Sequence, residues 1–134
     1  MFRNALIVMA CIGMVATVGS AEVILVDGGQ PAATIVTAGE PTRAAREAAR
    51  FLQDYIARIS GAELPIVAED DAPEAARVLV GASSLTEAHG YVPEDLALEQ
   101  AIVRVHGSDL VVIGDDAKPT GGELMGTRWA AAML

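Results

Sequence analysis

The 134-residue chain carries 18 acidic against 9 basic side chains, a formal net charge of −9 with no basic cluster, so duplex nucleic acid and anionic membrane surfaces would be repelled. Its five aromatic residues are a thin supply for a module that stacks rings against pyranose faces. A single cysteine, Cys11, and two histidines, His89 and His106, leave little from which to build a thiol relay, a Ser-His-Asp relay or a metal centre.

The chain opens with a short head holding one positive charge, Arg3, followed over residues 5–18 by an almost uninterrupted apolar run and then by the small residues Gly19, Ser20 and Ala21. Signal peptidases need small side chains one and three positions before the cut, so Gly19 and Ala21 predict an export signal over residues 1–21, cleaved before Glu22. A membrane anchor is the weaker reading: a spanning helix wants about 20 apolar residues, and this run is shorter and interrupted by Gly13 and Thr17. Cys11 leaves with the signal, so residues 22–134 hold together by packing alone and are long enough for one domain. The expected location is secreted or periplasmic, with no membrane association once the signal is gone.

Residues 22–26 and 33–37 are β-branched and apolar, and the turn formers Asp27-Gly28-Gly29-Gln30-Pro31 between them predict two neighbouring strands. A helix then runs from Pro41 or Thr42 to about Ser60, with Ala45, Ala48, Ala49, Leu52, Tyr55, Ile56 and Ile59 forming one apolar face. The opposite face carries Arg43, Arg46, Glu47, Arg50, Asp54 and Arg58, a solvated stripe with opposite charges four apart. Gly61 follows as the C-terminal cap.

A short strand at 64–68 and a continuous apolar strand at 77–81 are joined by the polar Glu69, Asp70, Asp71, Ala72 and Pro73. Ser83 or Ser84 caps a brief helix toward Gly90, and 91–98 is irregular around Pro93. Strands at 100–105 and 110–113 flank His106-Gly107-Ser108-Asp109, the clearest hairpin in the chain, with glycine suited to the first central position of a type II′ turn. After a loop over 115–122, a helix begins at Glu123 and runs to Leu134 with no Lys, Arg or Gly to satisfy its last carbonyls. The natural polypeptide is expected to continue. The fold class expected is α/β, of the two-layer α+β kind: a small mixed sheet with helices packed on it, a C-terminal β-hairpin and a truncated last helix.

The candidate sites are weighed against plainer roles. Paired acids at Asp70-Asp71 and Asp115-Asp116 have the residue type of glycosidic and metal sites, but adjacent acids in a turn point apart, and solvated loops are the better reading. His89 and His106 lack a second ligand at metal spacing and read as surface histidines. Asp27-Gly28-Gly29 leads into a strand instead of a helix, so it lacks the helix N-terminus of a phosphate loop. Gly121-Gly122 precedes a helix without the Lys and Ser/Thr of a nucleotide loop. Trp129, surrounded by Ala130, Ala132, Met133 and Leu134, belongs to a core or to a contact with a further domain. No catalytic, cofactor-binding or metal-binding residue is assigned.

The order of elements and several phrases are familiar. The stretch from Ala48 through Phe51-Leu52-Gln53-Asp54-Tyr55-Ile56 and Ile59-Ser60-Gly61-Ala62-Glu63-Leu64-Pro65-Ile66 resembles the N-terminal accessory domain that precedes the catalytic barrel of bacterial α-glucuronidases and β-N-acetylhexosaminidases. Val78-Leu79-Val80-Gly81, the hairpin ending in Val112-Ile113-Gly114, and Gly126-Thr127 opening the last helix fit the same pattern, so the resemblance spans nearly all of residues 22–134. Arg128-Trp129 departs from it, standing where an aliphatic-aromatic pair is more usual. The resemblance implies a small α/β domain followed by a (β/α)8 barrel that holds the catalytic carboxylates, so no catalytic residue carries over to this chain. The function it implies is a non-catalytic accessory domain of an exported glycoside hydrolase, docked on a barrel of the same polypeptide and requiring no cofactor of its own. The alternative is a free-standing exported module that binds carbohydrate or protein.

Overall fold

The computed structural model describes residues 21–97, 100–116 and 126–134. Of the expected signal only Ala21 falls among them, and the Gly121-Gly122 loop lies outside them.

Among the described residues the strands and α-helices follow in chain order: β1 (Val26–Asp27), β2 (Gln30–Pro31), β3 (Thr34–Thr37), α1 (Arg43–Ser60), β4 (Ile66–Ala68), β5 (Arg77–Val80), α2 (Ser84–Ala88), β6 (Ala101–His106), β7 (Asp109–Gly114) and α3 (Gly126–Ala132). The fold class is the one expected: helices packed on a small mixed sheet. Its five strands run in the order β4-β3-β5-β7-β6; β3 pairs in parallel with β4 and β5, β5 in parallel with β7, and β6 closes one edge antiparallel to β7. Among the described residues no helix is long and apolar enough to cross a membrane.

Helix α1 is the element that local chemistry specifies most fully. Thr42 accepts a hydrogen bond from the Ala45 amide at 3.1 Å, satisfying one of the unpaired donors of the first turn. At the other end Gly61 takes a left-handed conformation at φ 76° and returns its N–H to the Ala57 carbonyl at 2.8 Å. Arg58 in the last turn complements the negative end of the helix dipole. Between the caps, Ala44, Ala45, Ala48, Ala49, Leu52 and Ile56 are buried, and the run of alanines lets the helix lie close to its neighbours.

The first strand pair differs from expectation. Residues 22–25 do not enter a sheet, and β1 pairs only with β2 in a two-residue hairpin. Gly28 and Gly29 both have positive φ, 56° and 76°, as a type I′ turn requires, so the chain reverses at once. Strand β3 takes its partners elsewhere, from the apolar strands β4 and β5 on either side of it. The β6–β7 hairpin is as the sequence predicts, turning at Gly107-Ser108 with Gly107 at φ 58°.

Alternation along the strands divides the core. On one face Ile35, Val78, Val80, Leu110 and Val112 meet Ala48, Ala49, Leu52 and Ile56 of α1 and Ala130 and Ala131 of α3. The other face, Val36, Leu79, Val111 and Ile113, is closed by Leu96 with Leu85 and Tyr91. Each Leu, Ile or Val buried in this way contributes about 1.5–3 kcal/mol. Helix α3 is seated by an unusually close backbone approach: a Cβ added to Gly114 would lie 2.0 Å from the Gly126 carbonyl carbon.

Candidate functional site

Two features stand out, one on the outer surface of α1 and α3, the other at the amino ends of β5 and β7. The first is apolar. The spacing that predicts a single apolar face on α1 holds only in part, because Tyr55 and Ile59 are 51% and 69% exposed, and Phe51 beside them is 41% exposed. The sheet covers a band narrower than the apolar stripe. On α3, Trp129 is 63% exposed, and Met133 and Leu134, which follow the helix, are exposed as well. Phe51 and Tyr55 stack with ring centroids 5.9 Å apart and planes 9° from parallel.

Between the helices run two adjoining depressions. One is bounded by Phe51, Arg128, Trp129 and Ala132; the other, of about 320 Å³, by residues that include Leu25, Tyr55, Ile59 and Leu134. At the rim Arg128 approaches Glu47 at 3.9 Å, both side chains substantially exposed, and such a pair adds little stability. Grouped exposed apolar side chains of this size on a small domain are the usual mark of a contact surface.

The second feature is polar and nearly closed. The parallel register sets Arg77, the first residue of β5, beside Asp109, the first of β7. Arg77 donates from Nε and Nη2 to the two carboxylate oxygens of Asp109, both at 2.7 Å. The Asp109 side chain is only 5% exposed, and its Oδ2 also meets His89 Nε2 at 2.9 Å. His89 stacks on His106 with ring centroids 5.0 Å apart, and Tyr91 Oη is 2.7 Å from His106 Nε2.

Burial pushes the Asp109 carboxyl up, but the hydrogen bonds and charges of Arg77 and His89 outweigh it and hold the group below the ordinary carboxylate range. The Arg77 guanidinium is raised, chiefly by its hydrogen bonds to Asp109. A His-Asp contact has the form of a base and its orienting carboxylate, but Arg77 engages both oxygens of this carboxylate, and the arrangement fastens two strands to the segment after α2. Among the described residues, no group of three or more His, Cys, Asp or Glu could hold a metal ion.

The residues singled out from the sequence fall in different places. Asp70 and Asp71 are exposed in a short 3-10 turn, Glu69–Asp71, in keeping with a solvated loop. Asp115-Asp116 departs from that reading: Asp115 is fully buried, and half-buried Asp116 accepts from the Thr127 amide at 2.8 Å and from Thr42 Oγ1 at 3.1 Å. One carboxylate thereby joins the starts of α1 and α3. His89 and His106 are half-buried members of a network, not freely solvated histidines. Trp129 is not core; it belongs to the exposed face. Asp27-Gly28-Gly29 forms the β1–β2 reversal.

Sequence reasoning missed the Arg77–Asp109 pair. Its only trace was that two apolar strands, Arg77-Val78-Leu79-Val80 and Asp109-Leu110-Val111-Val112, begin with opposite charges. In comparisons with known proteins, no family model and no curated protein matches this chain.

Proposed function

We propose that residues 22–134 form a non-catalytic accessory domain of an exported glycoside hydrolase, which docks through the α1–α3 face against a catalytic (β/α)8 barrel of the same polypeptide. The observation that carries the reading is the grouping in the open of Phe51, Tyr55 and Ile59 on α1 with Trp129 on α3 and Met133 and Leu134 just after it. Water contact with this much apolar surface is unfavourable, and a neighbouring domain would remove it. The resemblance described above supplies the identity of that neighbour. Within this reading Arg77 and Asp109 are scaffold, and hydrolysis belongs to carboxylates of the barrel.

The test is the intact gene product. The reading frame is expected to continue past codon 134 into a barrel-length segment with glycosidase activity. Phe51→Glu together with Trp129→Glu should loosen the barrel from the domain, giving two thermal transitions in place of one. A frame that stops at Leu134 removes this reading, as does an active enzyme whose single transition ignores the double variant.

A second reading, a free-standing exported module that binds carbohydrate, draws on Phe51, Tyr55 and Trp129 being gathered on one face, since exposed rings can stack on pyranose units. Calorimetric titration of residues 22–134 against a broad glycan panel separates the two: saturable heats lost in Trp129→Ala favour the module, and flat titrations remove it.

A further inference from the structure

We propose that the open edge of β6 binds a second copy of this chain, the two β6 strands pairing antiparallel about Val103 so that two five-stranded sheets run on as one. This pairing is independent of the docking role, since it uses the backbone of a sheet edge and not the outer side chains of α1 and α3.

The ladder to β7 fixes which backbone groups of β6 are open. Along an antiparallel pair, residues that exchange both N–H···O bonds with the neighbouring strand alternate with residues whose groups point away from it. The Asp115 N–H donates to the Gln100 carbonyl at 3.2 Å, and the Gly81 N–H, at the end of β5, donates to the Val112 carbonyl at 2.9 Å. Val112 therefore faces β5, which turns Val111 and Ile113 toward β6, where they lie opposite Arg104 and Ile102. The N–H and C=O groups of Ala101, Val103 and Val105 point the other way, to the side on which β6 has no strand partner among the described residues.

The two edges of the sheet are not alike. At the other edge β4 is three residues long, with Pro65 before it and the exposed Asp70 and Asp71 soon after it. Short length, proline and charge are the usual protections of an edge against pairing. Strand β6 has six residues, no proline or glycine, and an unbroken register without a bulge. Its Ala101, Val103 and Val105 pack against the core under the helices yet stay half-exposed, and Arg104 is the one exposed residue of the strand.

A second copy fits this edge because the open residues are symmetric about Val103. A twofold axis there sets Val103 against Val103 of the second copy and Ala101 against Val105 of the second copy, so every open group meets a partner. Slipping the register to pair Val103 with Val105 of the second copy would set the two Arg104 side chains directly opposite each other and carry Ala101 past the end of the facing strand. The opposite slip would carry Val105 past its start. In the centred register Arg104 faces Ile102 of the second copy, and its aliphatic stem can lie along that side chain. Opposite residues share a face, so Ala101, Val103 and Val105 of both copies form one apolar stripe on the helix side of the sheet. Assembly stops at two, because each copy has then used its unprotected edge.

Sedimentation equilibrium of the full chain from about 1 μM to about 1 mM should show a dimer that dissociates on dilution, with no larger species. In hydrogen exchange the amides of Ala101, Val103 and Val105 should gain protection as the dimer fills, whereas those of Ile102 and Arg104, already bonded to β7, should not change. Val103→Pro removes the central N–H from both copies without touching the β7 ladder, at a position where an edge strand tolerates proline, and should weaken the dimer by about tenfold or more. Trp129→Glu, on the outer helical surface, should leave the dimer unchanged. A chain that is monomeric over the whole range overturns the proposal, as does a dimer in which those three amides exchange as freely as in the monomer. Both outcomes are read in the unaltered chain, so they stand even if Val103→Pro fails to fold. A dimer dissolved by Trp129→Glu and indifferent to Val103→Pro belongs to the α1–α3 surface and overturns it too.

Discussion

The outer surface of α1 and α3 and the cluster at the start of β5 and β7 solve opposite problems. At the cluster, charged and polar groups are largely withdrawn from water, and Arg77, Asp109, His89, His106 and Tyr91 each find a partner within the described residues. On the helices, large apolar side chains stay in water although the sheet beneath is fully covered. A buried polar group without a partner is costly, so a folded domain must complete such a network internally. An exposed apolar group costs less, and a domain can retain it when another surface is there to cover it. The contrast teaches that the domain is complete at its cluster and open at its helices.

The contrast breaks most severely if α3 loses its seat. A Cβ at Gly126 would stand 2.4 Å from the Asp115 amide nitrogen and 2.8 Å from the Gly114 carbonyl carbon, and backbone atoms cannot rotate aside. Gly126→Ala should therefore sit at the upper end of overpacking costs, about 3 kcal/mol, read from the urea midpoint of residues 22–134. Binding of a hydrophobic dye should rise, because the sheet face under Ala130 and Ala131 opens together with the outer surface.

The cluster is tested next by Asp109→Asn. The amide cannot match the charge of Arg77, whose side chain is 20% exposed, and the expected loss is about 2 kcal/mol, below the range for a fully buried pair whose partner is removed. The pH dependence has a definite sign. A carboxyl whose folded value lies below its unfolded one stabilises the protein above the unfolded value, near pH 4, and the contribution disappears as pH falls through the folded value. Acid unfolding followed by circular dichroism should start below about pH 4 in the unaltered chain, and this component should be missing from Asp109→Asn. An identical acid profile in the variant would mean that Asp109 gains nothing from Arg77.

Much of the architecture could be read from neighbouring residues, and the pattern of success follows sequence distance. Thr42 and Gly61 mark the ends of α1 because capping is decided within a turn, and Gly107 marks the hairpin because a two-residue reversal admits few alternatives. The partners of β3 could not be read so directly, since parallel pairing with β4 and β5 depends on strands some 30 to 40 residues away. For the same reason Asp109 seemed an ordinary turn acid until the register set it beside Arg77. Asp116 seemed solvated until the starts of α1 and α3 converged on it. Tyr55 and Ile59 fit the helical period perfectly well; periodicity identifies an apolar side but not how wide a band the sheet covers.

A milder change sharpens the comparison at the point where α1 meets α3. Thr42→Ala removes both the cap on the Ala45 amide and the hydroxyl donated to Asp116, and should cost about 1 kcal/mol in the urea midpoint. Asp116 retains the Thr127 amide, so the start of α3 should hold. Thr42→Ser keeps both contacts and should restore nearly all of the loss.

The smallest effect is expected where the most apolar surface is visible. Trp129→Ser removes a side chain that is 63% exposed, so in residues 22–134 alone it should move stability by no more than about 0.5 kcal/mol, as substitutions away from buried features do; Phe51→Ser removes one that is 41% exposed and should cost about 1 kcal/mol. Removing Phe51 also ends its stacking on Tyr55, so the loss at 51 should be larger than would follow from lost burial alone. Hydrophobic-dye fluorescence should fall in both variants while the urea midpoint moves little for Trp129→Ser and modestly for Phe51→Ser, the reverse of what Gly126→Ala is expected to do. If either serine instead cost as much as Asp109→Asn, these rings would be sustaining the fold as the cluster does, and the division between a complete region and an open one would fail.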